Sequence, residues 1–167
     1  MIYRDHIILE ANYDQIKCFD SQKFEVFYLR RAGLFGVAIY SDGNQLFSFE
    51  PKFISLSQTS IPLIFIAETA KNLSYKLVLI CNTNTGKLDT YQFNSVFEIN
   101  TAIQSNDYFC CGLNSNSTIV FYENALLSND NRDHAINQFS IPNEDVENIK
   151  ESISTVLQSR FEITNTY

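Results

Sequence analysis

Three pairs of apolar segments, each joined by a short turn of Asn, Asp, Ser or Gly, constrain the fold of this chain more than any other feature. Such turn residues tolerate a left-handed backbone or hydrogen-bond their own main chain, so each pair predicts a β-hairpin. The clearest turn is Asp42-Gly43, because this dipeptide supplies the positive φ angles that a tight hairpin needs. The predicted hairpins pair 35–40 with 45–49, 75–81 with 87–93, and 108–112 with 118–122.

Shorter apolar runs predict further strands. The run 77–80 is continuously apolar, which is typical of a central strand that is buried on both faces. The 14 Phe and 9 Tyr residues agree with a β-rich fold, since aromatic side chains favour strands. The additional strands are predicted at 7–10, 24–30, 53–56, 63–67 and 136–141.

One helix is predicted near the C-terminus, over 143–160. Asn143 follows a proline and is a candidate N-cap, and acidic residues occupy the first turn, where the helix dipole favours anions. Apolar residues recur at intervals of three or four and form one stripe that should pack on a sheet: Val146, Ile149, Ile153, Val156 and Leu157.

The predicted fold class is therefore mostly β (α+β): an antiparallel β-sandwich or a half-propeller-like meander of hairpins, with one C-terminal amphipathic helix. Residues 77–87, which end in the turn 82–86 and Lys87, resemble the strand, turn and return strand of a β-propeller blade. Blades contain roughly 40 residues and a closed ring needs at least four, so this chain supplies only part of a ring. Its length predicts a single domain over 1–167, β-rich over 1–141.

The sequence predicts a cytoplasmic protein. The longest apolar run, 61–67, is far shorter than the roughly 20 residues that span a bilayer, and the first residues do not resemble a signal peptide. Cys18, Cys81, Cys110 and Cys111 contain no C-x-x-C pair and lie in or beside apolar runs. We therefore expect four buried free thiols in a reducing compartment rather than disulfides.

Charge is distributed very unevenly along the chain. Residues 1–97 contain nine acidic and nine basic residues, whereas 98–167 contain ten acidic residues and three basic ones. The whole net charge of -7 therefore belongs to the last 70 residues. Such a region repels nucleic acid and anionic lipid and attracts basic partners, so we predict neither a nucleic-acid partner nor a membrane partner.

Few residues suggest catalysis or metal binding. His6 and His134 have no metal-like partner nearby in the sequence, and 130–134 lacks the Gly and Glu of a calcium loop. Nucleophile-elbow and phosphate-loop motifs are missing. Gly33-Leu34-Phe35-Gly36 predicts packing at a sheet bend, and Arg30-Arg31 favours a solvated strand end over a phosphate contact. We predict no cofactor, no metal and no enzymatic activity.

The acidic region suggests a protein-binding function. Small, acidic, β-rich domains without catalytic motifs resemble the immunity proteins of bacterial toxin systems, in which an acidic protein occludes the basic substrate cleft of a nuclease toxin. The resemblance implies that carboxylates of this chain mimic substrate phosphates, with Tyr122 and neighbouring Phe121 as an aromatic anchor. The candidate partner-binding residues are Glu123, Asp130, Asp133, Glu144, Asp145, Glu147, Glu151 and Tyr122.

Two alternatives remain at this point. One is a non-enzymatic adaptor or structural β domain of a mobile element that binds a partner through a sheet edge. The other is an enzyme whose site is assembled from scattered residues, with carboxylates, His6 or His134 converging in a pocket. The sequence leaves the oligomeric state open.

Overall fold

The computed structural model describes residues 2–3, 6–7, 12–20, 24–83, 85–101, 107–123, 136–143, 148–149, 151–153 and 155. Most of these residues lie in β-strands. The first seven strands are β1 (Ile2–Tyr3), β2 (His6–Ile7), β3 (Gln15–Asp20), β4 (Glu25–Arg31), β5 (Leu34–Ser41), β6 (Asn44–Phe53) and β7 (Ser55–Gln58). The next seven are β8 (Ile64–Thr69), β9 (Asn72–Asn82), β10 (Lys87–Phe93), β11 (Ser95–Thr101), β12 (Asp107–Leu113), β13 (Ser117–Glu123) and β14 (Ile136–Pro142).

The described strands form three four-stranded antiparallel sheets, rather than the two of a β-sandwich, and one short β1–β2 hairpin. Within each sheet the spatial order of the strands is their order in the chain: β3 to β6, β7 to β10, and β11 to β14. This up-and-down order is that of a propeller blade. The prediction of a mostly-β, antiparallel meander of hairpins is confirmed.

Tight turns account for the first sheet's meander. Asp42 and Gly43 both have positive φ, of 50° and 78°, and join β5 to β6 as predicted. A second turn of the same kind, which the sequence interpretation missed, joins β4 to β5 through Ala32 (φ 52°) and Gly33 (φ 78°). Gly36 lies at an irregularity in the β5–β6 register, where a Cβ atom would stand 2.5 Å from the Phe49 carbonyl oxygen.

One residue separates each sheet from the next. The predicted strand 53–56 is wrong in this respect, because β6 ends at Phe53 and β7 begins at Ser55. Between them the Ile54 amide donates a hydrogen bond to the Glu68 carbonyl, which transfers the chain to the second sheet. In that sheet β9 is an interior strand with Val78, Leu79 and Ile80 buried, as predicted for 77–80.

The third sheet packs against helical residues. Positions 149, 151–153 and 155 are α-helical and positions 143 and 148 are 3₁₀-helical, while the other positions of the predicted helix 143–160 lie outside the described residues. Ile149 and Ile153 are buried against Phe109, Val120 and Phe139 of the sheet, as the apolar stripe predicted. The Asn143 side chain donates to the Asn114 carbonyl at 2.8 Å and therefore ties the end of β14 to the β12–β13 turn.

The chain divides into two compact units, residues 1–92 and 93–167, which we call the N-terminal half and the C-terminal half. Residues 93–97 carry no charge, so the neutral and acidic parts of the sequence coincide with these halves. The single-domain prediction stays a prediction. Among the described residues, the structure contains no helix with both the length and the apolar character needed to cross a bilayer.

Candidate functional site

A cleft of about 530 Å³ lies in the N-terminal half, between one face of the first sheet and the edge of the second. Its first wall comes from β3, β4 and β5 and its second from β7 and the residue that follows. Clefts of this volume are typical of small-molecule sites. The residues of this basic cleft are Gln15, Lys17, Tyr28, Arg30, Phe35, Leu56, Ser57, Gln58 and Thr59.

Strand register brings the first wall together from distant parts of the sequence. Gln15 pairs with Arg30, Lys17 pairs with Tyr28, and Arg30 also pairs with Phe35 on the next strand. Directly paired residues share a face of the sheet, so all five side chains lie on one side of it. The opposite face forms a separate core around Phe27, Leu29 and Tyr40, among others.

Two cations give the cleft its charge. Lys17 and Arg30 are exposed, and none of the described residues that line the cleft is a carboxylate. In the described part of the chain neither of them forms an ion pair. Other cations of the same half do, since Arg31 lies 3.0 Å from Glu50 and Lys76 pairs with Glu68. The cleft is therefore positive although the half is neutral.

Aromatic rings position these cations. The Arg30 guanidinium lies 5.6 Å from the centre of the Phe35 ring, within the range of a cation–π interaction. The half-buried Tyr28 ring meets the Phe65 ring edge-on at 6.1 Å, and this contact joins the two sheets. Burial raises the pKa of Tyr28 to about 12, an effect that the hydrogen bond with the Gln58 backbone opposes. Tyr28 is therefore a neutral phenol near neutral pH, not a general base.

The second wall is held by its own hydrogen bonds. The buried Thr59 hydroxyl accepts from the Ile61 amide at 3.1 Å and lies 3.0 Å from the Ile64 carbonyl oxygen. The Gln58 side-chain amide donates to the Pro62 carbonyl at 3.0 Å. These bonds fix the turn after β7 and leave exposed Ser57, together with Gln15 opposite, as uncharged polar groups facing solvent.

Arg30 and Arg31 do not act together. Consecutive strand residues point to opposite faces, so only Arg30 enters the basic cleft. Arg31 lies over the Tyr13 ring, 5.9 Å from its centre, and pairs with Glu50, whose carboxylate also accepts from the Tyr13 hydroxyl at 3.3 Å. A joint phosphate contact by the two adjacent arginines is therefore not supported by the geometry, whereas an anion contact by Arg30 alone is.

Most of the cleft was missed by sequence reasoning. β3 was not predicted, although Gln15, Ile16, Lys17 and Cys18 alternate between polar and apolar as a half-buried strand does. Tyr28 and Phe35 were placed in strands without a functional role. Their convergence with Lys17 depends on the register of three strands, which the sequence pattern does not specify.

A second cleft, of about 460 Å³, lies in the C-terminal half between β14 and the helical residues. Glu151 is exposed at this cleft, near Ile141 and Thr155. It is one of two predicted partner-binding residues whose side chains the structure describes. β14 is the edge strand of the third sheet among the described strands, so a strand edge and a carboxylate occur side by side.

Tyr122 is the other predicted partner-binding residue whose side chain the structure describes. Its ring is half-buried between Phe109 and Phe139, at 6.0 Å and 5.8 Å between ring centres, and contributes to the core beneath the helix. Phe121 is fully buried against Phe93 on the opposite face, so the prediction that it anchors a partner is wrong. Glu123 is described only by its backbone, which pairs with Ile136.

The remaining predicted positions lie outside the described residues: Asp130, Asp133, Glu144, Asp145 and Glu147, and His134 with them. Of His6, the structure describes the backbone in β2. In the described part of the chain, no three His, Cys, Asp or Glu side chains converge to hold a metal ion.

The thiols are largely inaccessible. Cys81, Cys110 and Cys111 are free and buried as predicted, whereas Cys18, on edge strand β3, is free and exposed. Burial, with smaller effects of Cys111 and Glu98, raises the pKa of Cys110 to about 12. Burial also raises the pKa of Cys111 to about 12 and that of Cys81 further, so these thiols are poor nucleophiles.

No protein-family model matches the chain, and no similar curated protein or solved structure was found.

Proposed function

We propose that this chain is a protein-binding inhibitor whose acidic C-terminal half contacts a basic partner protein. The kind of partner that fits best is a nuclease-type bacterial toxin whose active site the inhibitor occludes, so the chain would act as a cytoplasmic immunity protein. The observation that carries the proposal is the confinement of the whole net charge of -7 to residues 98–167.

The described surface of the C-terminal half supports this charge argument. Two of its acidic residues, Glu98 and Glu151, have exposed side chains. Glu98 lies on β11 in register with Cys110, on the face of the third sheet opposite the helix. Described carboxylates therefore lie on both sides of the third sheet.

Glu151 marks the part of this half that best fits a partner. It stands at the cleft beside edge strand β14, and Glu144, Asp145 and Glu147 lie within seven residues of it in the sequence. Complementary charge accelerates association and sets the orientation of two proteins, even where it adds little affinity. Such a group of carboxylates should therefore bind most favourably to a basic active-site cleft.

The proposal treats the chain as non-enzymatic. What supports this is that burial raises the pKa of Tyr28, Cys110 and Cys111, three potential nucleophiles, still further above neutral pH. A protonated phenol or thiol is a poor nucleophile and a poor base.

The test is capture of a partner from native lysate and from cells that co-express the products of adjacent genes. We expect one basic protein to bind at low salt, to dissociate as salt screens the charges, and to lose its own activity in the complex. Replacing Glu144, Asp145 and Glu147 together with Lys should slow association by about tenfold or more. Capture of an acidic protein, or an affinity that does not change with salt concentration, would contradict the proposal.

A matched pair of single variants locates the surface. Glu151→Lys and Asp89→Lys each reverse one exposed carboxylate, in the C-terminal and the N-terminal half respectively. We expect Glu151→Lys to slow association with the captured partner severalfold and Asp89→Lys to leave it unchanged. Equal effects of the two variants would place the partner elsewhere.

A further inference from the structure

We propose that the basic cleft binds a small organic anion, in which a planar aromatic ring carries a phosphate or carboxylate group. This proposal concerns the N-terminal half and does not depend on the acidic surface or on any protein partner. It follows from three properties of the cleft: two exposed cations that form no ion pair with any described residue, an aromatic wall and a fixed shape.

The anionic group is recognised by Lys17 and Arg30. They lie diagonally on neighbouring strands, because Lys17 pairs with Tyr28 and Arg30 pairs with Gln15. Diagonal neighbours of this kind are about 7–8 Å apart, a distance that long side chains bridge to reach one anion. Arginine binds phosphate or carboxylate through two parallel hydrogen bonds, and lysine adds a point charge.

The aromatic group is recognised by the wall beside these cations. Phe35, Tyr28 and Leu56 are half-buried, so each offers part of its apolar surface to the cleft. Arg30 already lies over Phe35. A ligand ring in this cleft would therefore contact aromatic side chains while its anionic group binds the guanidinium. An inorganic ion would make only the second contact, and an uncharged ring only the first.

The shape of the cleft is set in advance by secondary structure. One wall consists of three hydrogen-bonded strands, and the other is fixed by the hydrogen bonds of Gln58 and Thr59 to the following turn. A preorganised site loses little conformational entropy on binding. Its volume of about 530 Å³ suits a molecule of one or two rings.

The charge distribution of the chain favours a small anion over a nucleic acid as the ligand of the basic cleft. A strand of RNA or DNA would bring many phosphates to a chain whose net charge is -7 and whose N-terminal half has as many acidic as basic residues. Nucleic-acid binding needs an extended basic surface, and two cations do not provide one. A single anion needs only Lys17 and Arg30.

The experiment is an NMR titration of the full chain with phenyl phosphate as the probe. Inorganic phosphate serves as the charge-only arm, phenol as the ring-only arm, and benzoate replaces phosphate by carboxylate. We expect saturable shifts of amides near Lys17, Arg30 and Ser57 with phenyl phosphate or benzoate, at an affinity at least tenfold above those of phosphate and phenol. The stronger of the two aromatic anions identifies the preferred group.

Variants keep the test specific. Arg30→Gln and Lys17→Gln each remove one exposed cation of the cleft, and each should weaken binding of the aromatic anion by about tenfold. Phe35→Leu, which keeps apolar volume, should weaken it by about threefold. Lys71→Gln removes an exposed cation of the same half outside the cleft and should change nothing.

Three results would overturn the proposal. One is the absence of saturable shifts with both aromatic anions, and another is an affinity for inorganic phosphate equal to that for the stronger aromatic anion. The third is tighter binding of a single-stranded oligonucleotide than of either aromatic anion, which would make the cleft part of a nucleic-acid site. Failure of partner capture by the acidic half affects none of these outcomes, so the two proposals are tested separately.

Discussion

The two halves of this protein share one structural plan and differ in charge. Both are built from four-stranded meanders with the strands in chain order. In the N-terminal half acidic and basic residues are equal in number, and several pair, as Arg31 does with Glu50. The C-terminal half contains ten acidic residues and only three basic ones. The pattern of apolar residues therefore determines the sheets in both halves. The charged residues on the surface can differ between the halves and so serve different functions.

The most disruptive change is to the buried core of the C-terminal half. Phe121→Ala should lower the free energy of unfolding by about 3–5 kcal/mol, because a fully buried ring leaves a cavity against Phe93. Chemical denaturation measures it. The neighbouring Tyr122→Phe variant, which removes only a hydroxyl from a half-buried ring, should cost less than about 1.5 kcal/mol. Similar losses for the two variants would contradict the assignment of Phe121 to the core.

The tight approach of strands in the first sheet gives the next largest effect. Gly36→Ala should destabilise the protein by about 3 kcal/mol, since its Cβ would lie 2.5 Å from the Phe49 carbonyl oxygen and 2.7 Å from the Pro51 nitrogen. Gly33→Ala is the control: nothing lies within 4 Å of its Cβ, so only the positive φ of 78° opposes it, at about 1 kcal/mol. Thermal unfolding should rank them in that order.

Alkaline pH should weaken both halves through their buried titratable groups. Burial raises the pKa of Tyr28 from 10.0 to about 12, and those of Cys110 and Cys111 from 9.0 to about 12. The unfolded chain therefore releases these protons first, so stability is complete below about pH 9 and falls as pH rises towards 12. Denaturation midpoints across this range measure the effect. Tyr28→Phe should make the decline shallower, and an unchanged slope would count against the burial of Tyr28.

The smallest expected changes in the free energy of unfolding should differ in sign between the two halves. Glu50→Gln removes an exposed ion pair with Arg31 and should cost less than about 1 kcal/mol. Glu151→Gln removes one carboxylate from the acidic half and should leave stability unchanged or raise it slightly, because it reduces repulsion. Denaturation at low salt shows the difference best, and added salt should diminish it. Destabilisation by Glu151→Gln at low salt would contradict this comparison.

Much of the fold could be predicted because hairpins are local. The turns at Asp42-Gly43 and 82–86 and the apolar runs beside them specify β5, β6, β9 and β10 within a few residues. The sequence interpretation failed where tertiary context decides. β3 escaped notice because its alternation is short, and Ala32-Gly33 was not recognised as a turn because Ala rarely adopts a positive φ.

The candidate sites show a similar division. The acidic character of residues 98–167 could be derived by counting charges, and Glu151 is indeed exposed. The basic cleft could not be found in this way, because Lys17 and Arg30 belong to a half with no net charge. Only the pairing of β3 with β4 brings them together, beside an edge strand some forty residues further along the chain.

The central claim is that the two halves offer opposite electrostatic surfaces to different ligands. The most direct measurement is an NMR titration of the full chain with oligolysine in one sample and with phenyl phosphate in another. The account predicts that oligolysine shifts amides of the C-terminal half, including those of Glu98 and Glu151, and that phenyl phosphate shifts amides near Lys17 and Arg30. Shifts of the same residues by both ligands, or of the N-terminal half by oligolysine, would contradict it.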